Sequence, residues 1–313
     1  TPKKVSEENY FFKLSKYQKF LEDYIESHPE FIWPESRRNE TLAFVKRGLK
    51  DFSVSRPNVS WGIPVPDDSK HTIYVWFDAL INYLTYGIEE NCWPADIHVL
   101  GKDNLRFHAI FWPAMLKSAG YELPKTILVH DFITLNGQKV SKSLGNVILP
   151  SELVTKFGVD GVRYYFLRFG PLTNDVDITL EKIQETYNAD LANGLGNLVA
   201  RVAKLAERVS LPDKPWGLEV DGQVKKCLDE YRLDEALKTI WTWISELDQT
   251  IEKDQPWKLS DEKLGKVLEG YVEKINKIAA SLRPFLPETA EKILAQFKGP
   301  EIKSGAPLFP RIK

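Results

Sequence analysis

"IHVLGKDNLRFHAIFWPAMLKSAGYELPKTILVH", residues 97–130, holds two β-branched runs with a helical pattern between them. Ile97 to Gly101 and Thr126 to His130 suit buried, pleated backbone. Leu105, His108 and Trp112 are spaced by three and four, which predicts one shared helix face. Gly101, Lys102 and Asp103 form the turn into that helix; Asn104 is its expected N-cap and Gly120 its expected stop. A strand, a helix and a second strand predict a parallel pair with a crossover.

The same alternation extends upstream. "TIYVWF" (72–77) reads as a strand that ends at Trp76, and "DALINYLTYG" (78–87) as a helix with Asp78 as its N-cap. Residues 1 to about 50 read as two helices separated by Pro29 and Pro34. Phe12, Leu14, Tyr17, Phe20, Leu21, Tyr24 and Ile25 recur near helical spacing in the first of them. "NVSWGIPVPDDSK" (58–70) is a proline-rich connection. After Pro150 comes a compact helix–turn–helix–strand stretch. From about residue 185 the chain is helical, and Leu195, Leu198, Val199, Val202, Leu205 and Ala206 predict a bundle seam. The expected fold class is therefore α/β plus all-α.

With 313 residues, 43% hydrophobic and 27% charged, the chain has an ordinary globular composition. No apolar run reaches the roughly 18 residues of a membrane span, and no signal peptide is evident. Cys92 and Cys227 form neither a disulfide framework nor a zinc cluster, so a reducing, cytoplasmic compartment is expected, an organellar one being the alternative. The net charge of −2 leaves any nucleic-acid contact to local basic faces. The chain starts at Thr1 and its only methionine is Met115, which predicts a piece of a longer polypeptide.

Ligands of open parallel sheets bind at the carboxyl ends of strands. Two such ends are rich in candidate residues. Trp76, Tyr83, His108 and Trp112 suit one pocket for a small, partly apolar ligand, with Ala79, Leu80 and Tyr83 beginning the helix after Trp76; an aromatic core with a satisfied histidine is the competing reading. Asp103, after Gly101, is placed to accept hydrogen bonds from a ribose diol. "NGQKVSKSLGN" (136–146) packs Lys139, Ser141, Lys142 and Ser143 between two glycines. Two ammonium groups there suit a polyphosphate, while a solvated turn is the alternative. In the bundle, Asn193, Asn197 and Arg201 recur every four residues, and Trp257 follows Pro256 at a loop–helix junction. Amides, a guanidinium and an exposed indole can read and stack on unpaired bases; plain polar surface and a buried tryptophan would look the same.

Taken in order, "YVWFDALINYL", "GKDNLRFHAIFWPAML", "KVSKSLGN", "NADLANGLGNLVAR" and "DQPW" resemble the methionyl-tRNA synthetase family of class I aminoacyl-tRNA synthetases. The resemblance runs from about residue 5 to beyond 290. It implies four parts. Residues 1–72 look like the end of a connective insertion, and 73–132 like the second half of a Rossmann-type catalytic domain. Residues 133–187 look like a stem-contact fold bearing the KMSKS-type loop, and 188–313 like an antiparallel anticodon-binding bundle.

The resemblance further implies ATP-dependent activation of methionine to methionyl-adenylate, then transfer to tRNA(Met). Trp76, Ala79, Leu80, Tyr83 and His108 would bind methionine. Gly101 and Asp103 would hold the adenosine ribose, with Lys139, Ser141 and Lys142 on the phosphates and both lysines catalytic. Asn193, Asn197, Arg201, Pro256 and Trp257 would recognise the anticodon. ATP with Mg2+ is the implied substrate. Methionine and the acceptor stem and anticodon of tRNA are the implied partners; no membrane and no zinc site are expected.

The family's HIGH signature is absent, so the piece is expected to be inactive without an upstream half. Asn104 replaces an aliphatic residue, Asp131 a glycine, and Val140 a methionine of the family pattern. A non-catalytic tRNA-binding module and a class I synthetase for another amino acid are the alternative readings.

Overall fold

The computed structural model describes residues 6–57, 59, 61–140, 147–212 and 216–313. Two compact units are formed, residues 1–132 with 172–174 and residues 133–171 with 175–313.

The first unit begins with a two-stranded pair. Strand β1 (Phe11–Phe12) leads through a 3-10 turn into helix α1 (Gln18–Ser27); β2 (Ile32–Trp33) and helix α2 (Glu35–Lys46) follow. Helix α1 is shorter than the apolar spacing predicts. Phe12 is captured instead by antiparallel pairing with Phe52 of β3 (Phe52–Ser53). A second departure is β2 itself, because "FIW" between the helices is a strand, with Phe31 and Ile32 buried.

The proline-rich stretch is also more ordered than a connection. β4 (Ser55–Pro57), β5 (Pro64–Val65) and β6 (Asp68–Ile73) form an antiparallel sheet in the order β4-β6-β5. Pro66 and Asp67, the latter at φ 64, turn β5 into β6. This local hairpin claims the segment expected to join the parallel sheet. Consequently β6 ends at Ile73, and Trp76 lies in helix α3 (Val75–Ala79) rather than at a strand end. Tyr74, with extended backbone, is the N-cap of α3; Asp78 sits inside the helix. Helix α4 (Asn82–Glu89) follows.

β7 (Ile97–Gly101), helix α5 (Trp112–Ala119) and β8 (Thr126–His130) are the βαβ unit read from the sequence. The sheet is parallel in the order β2-β8-β7, with Gly101 opposite His130 at its carboxyl edge. Gly120 ends α5 with left-handed backbone, φ 79. The entry into α5 departs from expectation. Gly101, not Asn104, is the N-cap of a 3-10 turn Lys102–Asn104, and a π-helical turn Phe107–Phe111 follows. A π turn advances the register by a residue. Leu105 therefore packs with Leu100, Ile110 and Ile127 in the sheet core, whereas Trp112 joins Leu80, Met115 and Leu116 in another cluster. Leu105 and Trp112 do not share one buried face.

The second unit opens with β9 (Ile133–Leu135) and β10 (Gln138–Lys139), an antiparallel hairpin. Asn136 and Gly137 both have positive φ, 52 and 72, as a two-residue primed turn requires. Helix α6 (Pro150–Phe169) is broken at Gly158, φ 72 and ψ 163. β11 (Val176–Ile178) pairs parallel with β9, and helix α7 (Leu180–Thr186) is N-capped by the Thr179 hydroxyl. A π-helical stretch Tyr187–Gly196 then runs into α8 (Asn197–Ala206). Helices α9 (Gly222–Asp229), α10 (Leu233–Asp254), α11 (Asp261–Leu282) and α12 (Pro287–Gln296) complete the bundle. Leu195, Leu198, Val199, Val202 and Ala206 are buried as the seam, with Leu205 partly buried against it. The short link from α10 to α11 makes these long helices antiparallel neighbours.

Candidate active site

The π turn places His108 at the centre of an aromatic cluster in the first unit. His108 is 4% exposed, and its Nδ1 lies 3.0 Å from the carbonyl oxygen of Asn104. A carbonyl only accepts, so Nδ1 carries the proton. Burial pushes the pKa of His108 down, which favours the neutral ring. Its Nε2 is then an acceptor, and the Tyr83 hydroxyl donates to it at 3.0 Å. The backbone of Asn104 thus fixes the tautomer that orients Tyr83.

Trp76 stacks on Phe107, ring centroids 4.0 Å apart, so α3 lies against the same π turn. Ala79 is partly buried and Tyr83 is 38% exposed. Leu80 is buried in the core cluster with Trp112, and Tyr83 and Trp112 approach to 6.4 Å between ring centroids. Trp76, Leu80, Tyr83 and His108 are therefore gathered around one segment.

Sequence reading passed over His98, whose ring lies 4.4 Å from Tyr83 and 6.0 Å from His108. The signal was present. His98 alternates with exposed Ile97 and Val99 along β7, so it faces inward with Leu100. Tyr83 and His98 also line an open pocket with Tyr86, Cys92, Trp93 and Val99. Nε2 of His98 has no hydrogen-bond partner among the described residues. Burial first, and the neighbouring His108 second, push His98 down to about 4.

A histidine lowered in the fold binds fewer protons than the unfolded chain between pH 6.5 and about 4, so stability rises with pH there. The first unit is expected to lose about 2–3 kcal/mol of stability as pH falls through that window. Urea unfolding at several pH values measures it. His98→Leu is expected to flatten the dependence, and an unchanged slope would contradict the assignment.

At the sheet edge, Gly101 admits close neighbours. A Cβ there would lie 3.2 Å from Oδ1 of Asp103 and 3.6 Å from Cε1 of His130. Asp103 is exposed, so its carboxylate is open to a ligand at the end of β7. Asp131 is 4% exposed and takes ion pairs from Arg37 and Lys102.

In the second unit, the side chain of Lys139 and all of Ser141 and Lys142 lie outside the described residues. Their stem does not. Oδ1 of Asp177 accepts from the backbone N–H of Gly137 at 2.6 Å and from the Thr134 hydroxyl at 2.8 Å. These bonds hold the Asp177 carboxyl below its usual range and brace the β9–β10 turn.

In the bundle, Asn193 and Asn197 are exposed and line one groove with Gly196, Gly305, Pro307 and Phe309. Arg201 does not line it. Its Nη1 pairs with Asp248 at 3.3 Å and Glu252 at 2.8 Å on α10. Pro256 is buried and Trp257 is 47% exposed. Among the described residues, no group of three His, Cys, Asp or Glu side chains could hold a metal ion.

A parallel sheet with candidate residues at its carboxyl edge is the arrangement of ligand-binding α/β proteins. The family model "tRNA synthetases class I (M)" matches residues 1–203, and the chain belongs to that family. A methionine–tRNA ligase of Clostridium perfringens is 42% identical over 99% of this chain and 55% of its own length. One from Thermotoga maritima is 42% identical over 92% of this chain and 50% of its own. The chain thus spans about half the length of these relatives. The solved Mycobacterium tuberculosis methionyl-tRNA synthetase in complex with methionyl-adenylate superposes with a TM-score of 0.85. It is 35% identical, and the match covers 97% of this chain and 69% of that one.

Proposed function

We propose that the chain supplies part of a methionine–tRNA ligase that activates methionine with ATP and transfers it to tRNA(Met). The observation that carries this reading is the buried His108, bonded to the Asn104 carbonyl and to the Tyr83 hydroxyl, beside the stacked Trp76–Phe107 pair. A thioether is polarizable and favours aromatic neighbours. An uncharged imidazole costs an apolar side chain little desolvation. Trp76, Ala79, Leu80, Tyr83 and His108 are the proposed methionine wall.

In the first step the methionine carboxylate attacks the α-phosphorus of ATP. A bond forms between carboxylate oxygen and phosphorus, the bond to the bridging oxygen breaks, and pyrophosphate leaves with the electron pair. No enzyme nucleophile is required, so catalysis is positioning and charge stabilisation. Asp103, with Gly101 allowing close approach, accepts from the ribose hydroxyls. Lys139 and Lys142, with the Ser141 hydroxyl, neutralise the leaving pyrophosphate, and Mg2+ accompanies ATP as part of the substrate. In the second step a terminal ribose hydroxyl of the tRNA attacks the aminoacyl carbonyl carbon; the ester bond forms, the acyl–phosphate bond breaks, AMP leaves with the electron pair and the hydroxyl proton is released. Asn193, Asn197 and Trp257 are assigned to the anticodon; Arg201, paired with Asp248 and Glu252, and the buried Pro256 would support the helices and the junction that carry them. The division into insertion end, catalytic half, stem-contact fold and bundle is proposed with the boundaries given above.

ATP–pyrophosphate exchange with a panel of amino acids tests the reading, using the chain extended to the full length of its relatives. Exchange with methionine alone is expected; exchange with another amino acid, or tRNA binding without exchange, would replace it. Tyr83→Phe removes only the hydroxyl bond to His108. It is expected to raise KM for methionine about fivefold, the worth of about 1 kcal/mol, with KM for ATP unchanged. An unaltered methionine KM would remove Tyr83 from the wall.

A further inference from the structure

We infer that Asp131 is a positioning residue for the nucleotide, acting through Lys102 on the turn that presents Asp103. The inference rests on assigning Gly101 and Asp103 to the ribose.

Asp131 follows β8 at the carboxyl edge of the parallel sheet and is 4% exposed. A carboxylate this deep must be paired to remain in the fold. Its Oδ1 takes both partners: the guanidinium of Arg37, from α2, and the Lys102 ammonium at 3.4 Å. Arg37 is itself held by Glu40 at 2.7 Å. One oxygen therefore ties α2, the end of β8 and the β7 turn together.

Lys102 stands between Gly101 and Asp103, and its side chain is only 24% exposed. Its ammonium also lies 4.6 Å from the centre of the Phe132 ring. A lysine stem left free would carry most of its rotamer entropy into the turn. Anchored between Asp131 and Phe132, it restrains the turn on the side away from solvent. The Asp103 carboxylate is then offered in one geometry, against Gly101. Preorganisation of this kind acts on ligand affinity without touching the ligand.

The experiment is ATP–pyrophosphate exchange in the chain extended to the full length of its relatives, comparing Asp131→Asn, Lys102→Met and Asp103→Ala. Asp131→Asn and Lys102→Met are each expected to raise KM for ATP about tenfold and leave KM for methionine unchanged. The double variant is expected to be no worse than the worse single, because both break one link. Lys102→Met leaves Asp131 paired with Arg37, so it reports on positioning even if Asp131→Asn folds poorly. Equal shifts in both KM values, or no shift in either, would overturn the inference and make the ion pair structural only. Asp103→Ala separates the two layers. If it raises KM for ATP while the other variants do not, the ribose reading stands and the role of Asp131 falls; if it has no effect, the ribose reading itself falls.

Discussion

Lys142→Ala is expected to slow ATP–pyrophosphate exchange by about a thousandfold, roughly 4 kcal/mol of transition-state stabilisation, with methionine binding nearly intact. Pyrophosphate gathers negative charge as its bond to the α-phosphorus breaks. A cation that meets this charge stabilises the transition state more than the bound nucleotide, so the loss falls on kcat. In the proposed role the lysine would serve as a point charge, so Lys142→Arg is expected to recover part of the rate. The stem before the loop is braced: Asp177 accepts from the Thr134 hydroxyl and from the backbone N–H of Gly137, two residues before Lys139. Steady-state exchange at saturating methionine measures the effect. Exchange at the wild-type rate in Lys142→Ala would end the clamp assignment.

Trp257→Ala carries the second large effect, on tRNA charging alone. Stacking of a base on an indole is worth about 1–3 kcal/mol, so charging is expected to fall by about 10- to 100-fold in kcat/KM for tRNA. Amino-acid activation should not change. Trp257 is 47% exposed, whereas Pro256 beside it is buried, so the proline anchors the junction and the tryptophan contributes little core. Thermal unfolding of the variant is therefore expected to match the parent. Unchanged charging would return Trp257 to the ordinary surface, and a lowered melting point would make it structural.

Some of the site was legible because its signals are local. The Gly101–Lys102–Asp103 turn follows a β-branched run, and β7, α5 and β8 form as that run and the next one predict. The seam of α8 is likewise a matter of spacing, and Leu198, Val199 and Val202 are buried as expected. Other features depended on competition between segments. Trp76 lies outside the strand because the Pro66–Asp67 turn pairs β6 with β5, and a local hairpin costs less chain entropy than a distant parallel pairing. The four-residue spacing of Asn193, Asn197 and Arg201 suggested one stripe, yet only the two asparagines share the groove. Arg201 turns to Asp248 and Glu252, which lie some fifty residues away in the chain.

The amino-acid sequence by itself determined the β7–α5–β8 unit, the bundle seam and the candidate turn after β7, because periodicity and turn chemistry act over a few residues. Only the tertiary structure decided which of those residues meet. Three placements show this: the π turn that sets His108 against Tyr83, the ion pairs that bury Asp131, and the carboxylate of Asp177 under the β9–β10 turn. Each depends on a backbone register or a charge partner from a distant segment. Burial then makes the pairing obligatory, since a buried polar group left unpaired costs more than the ordering of its partner.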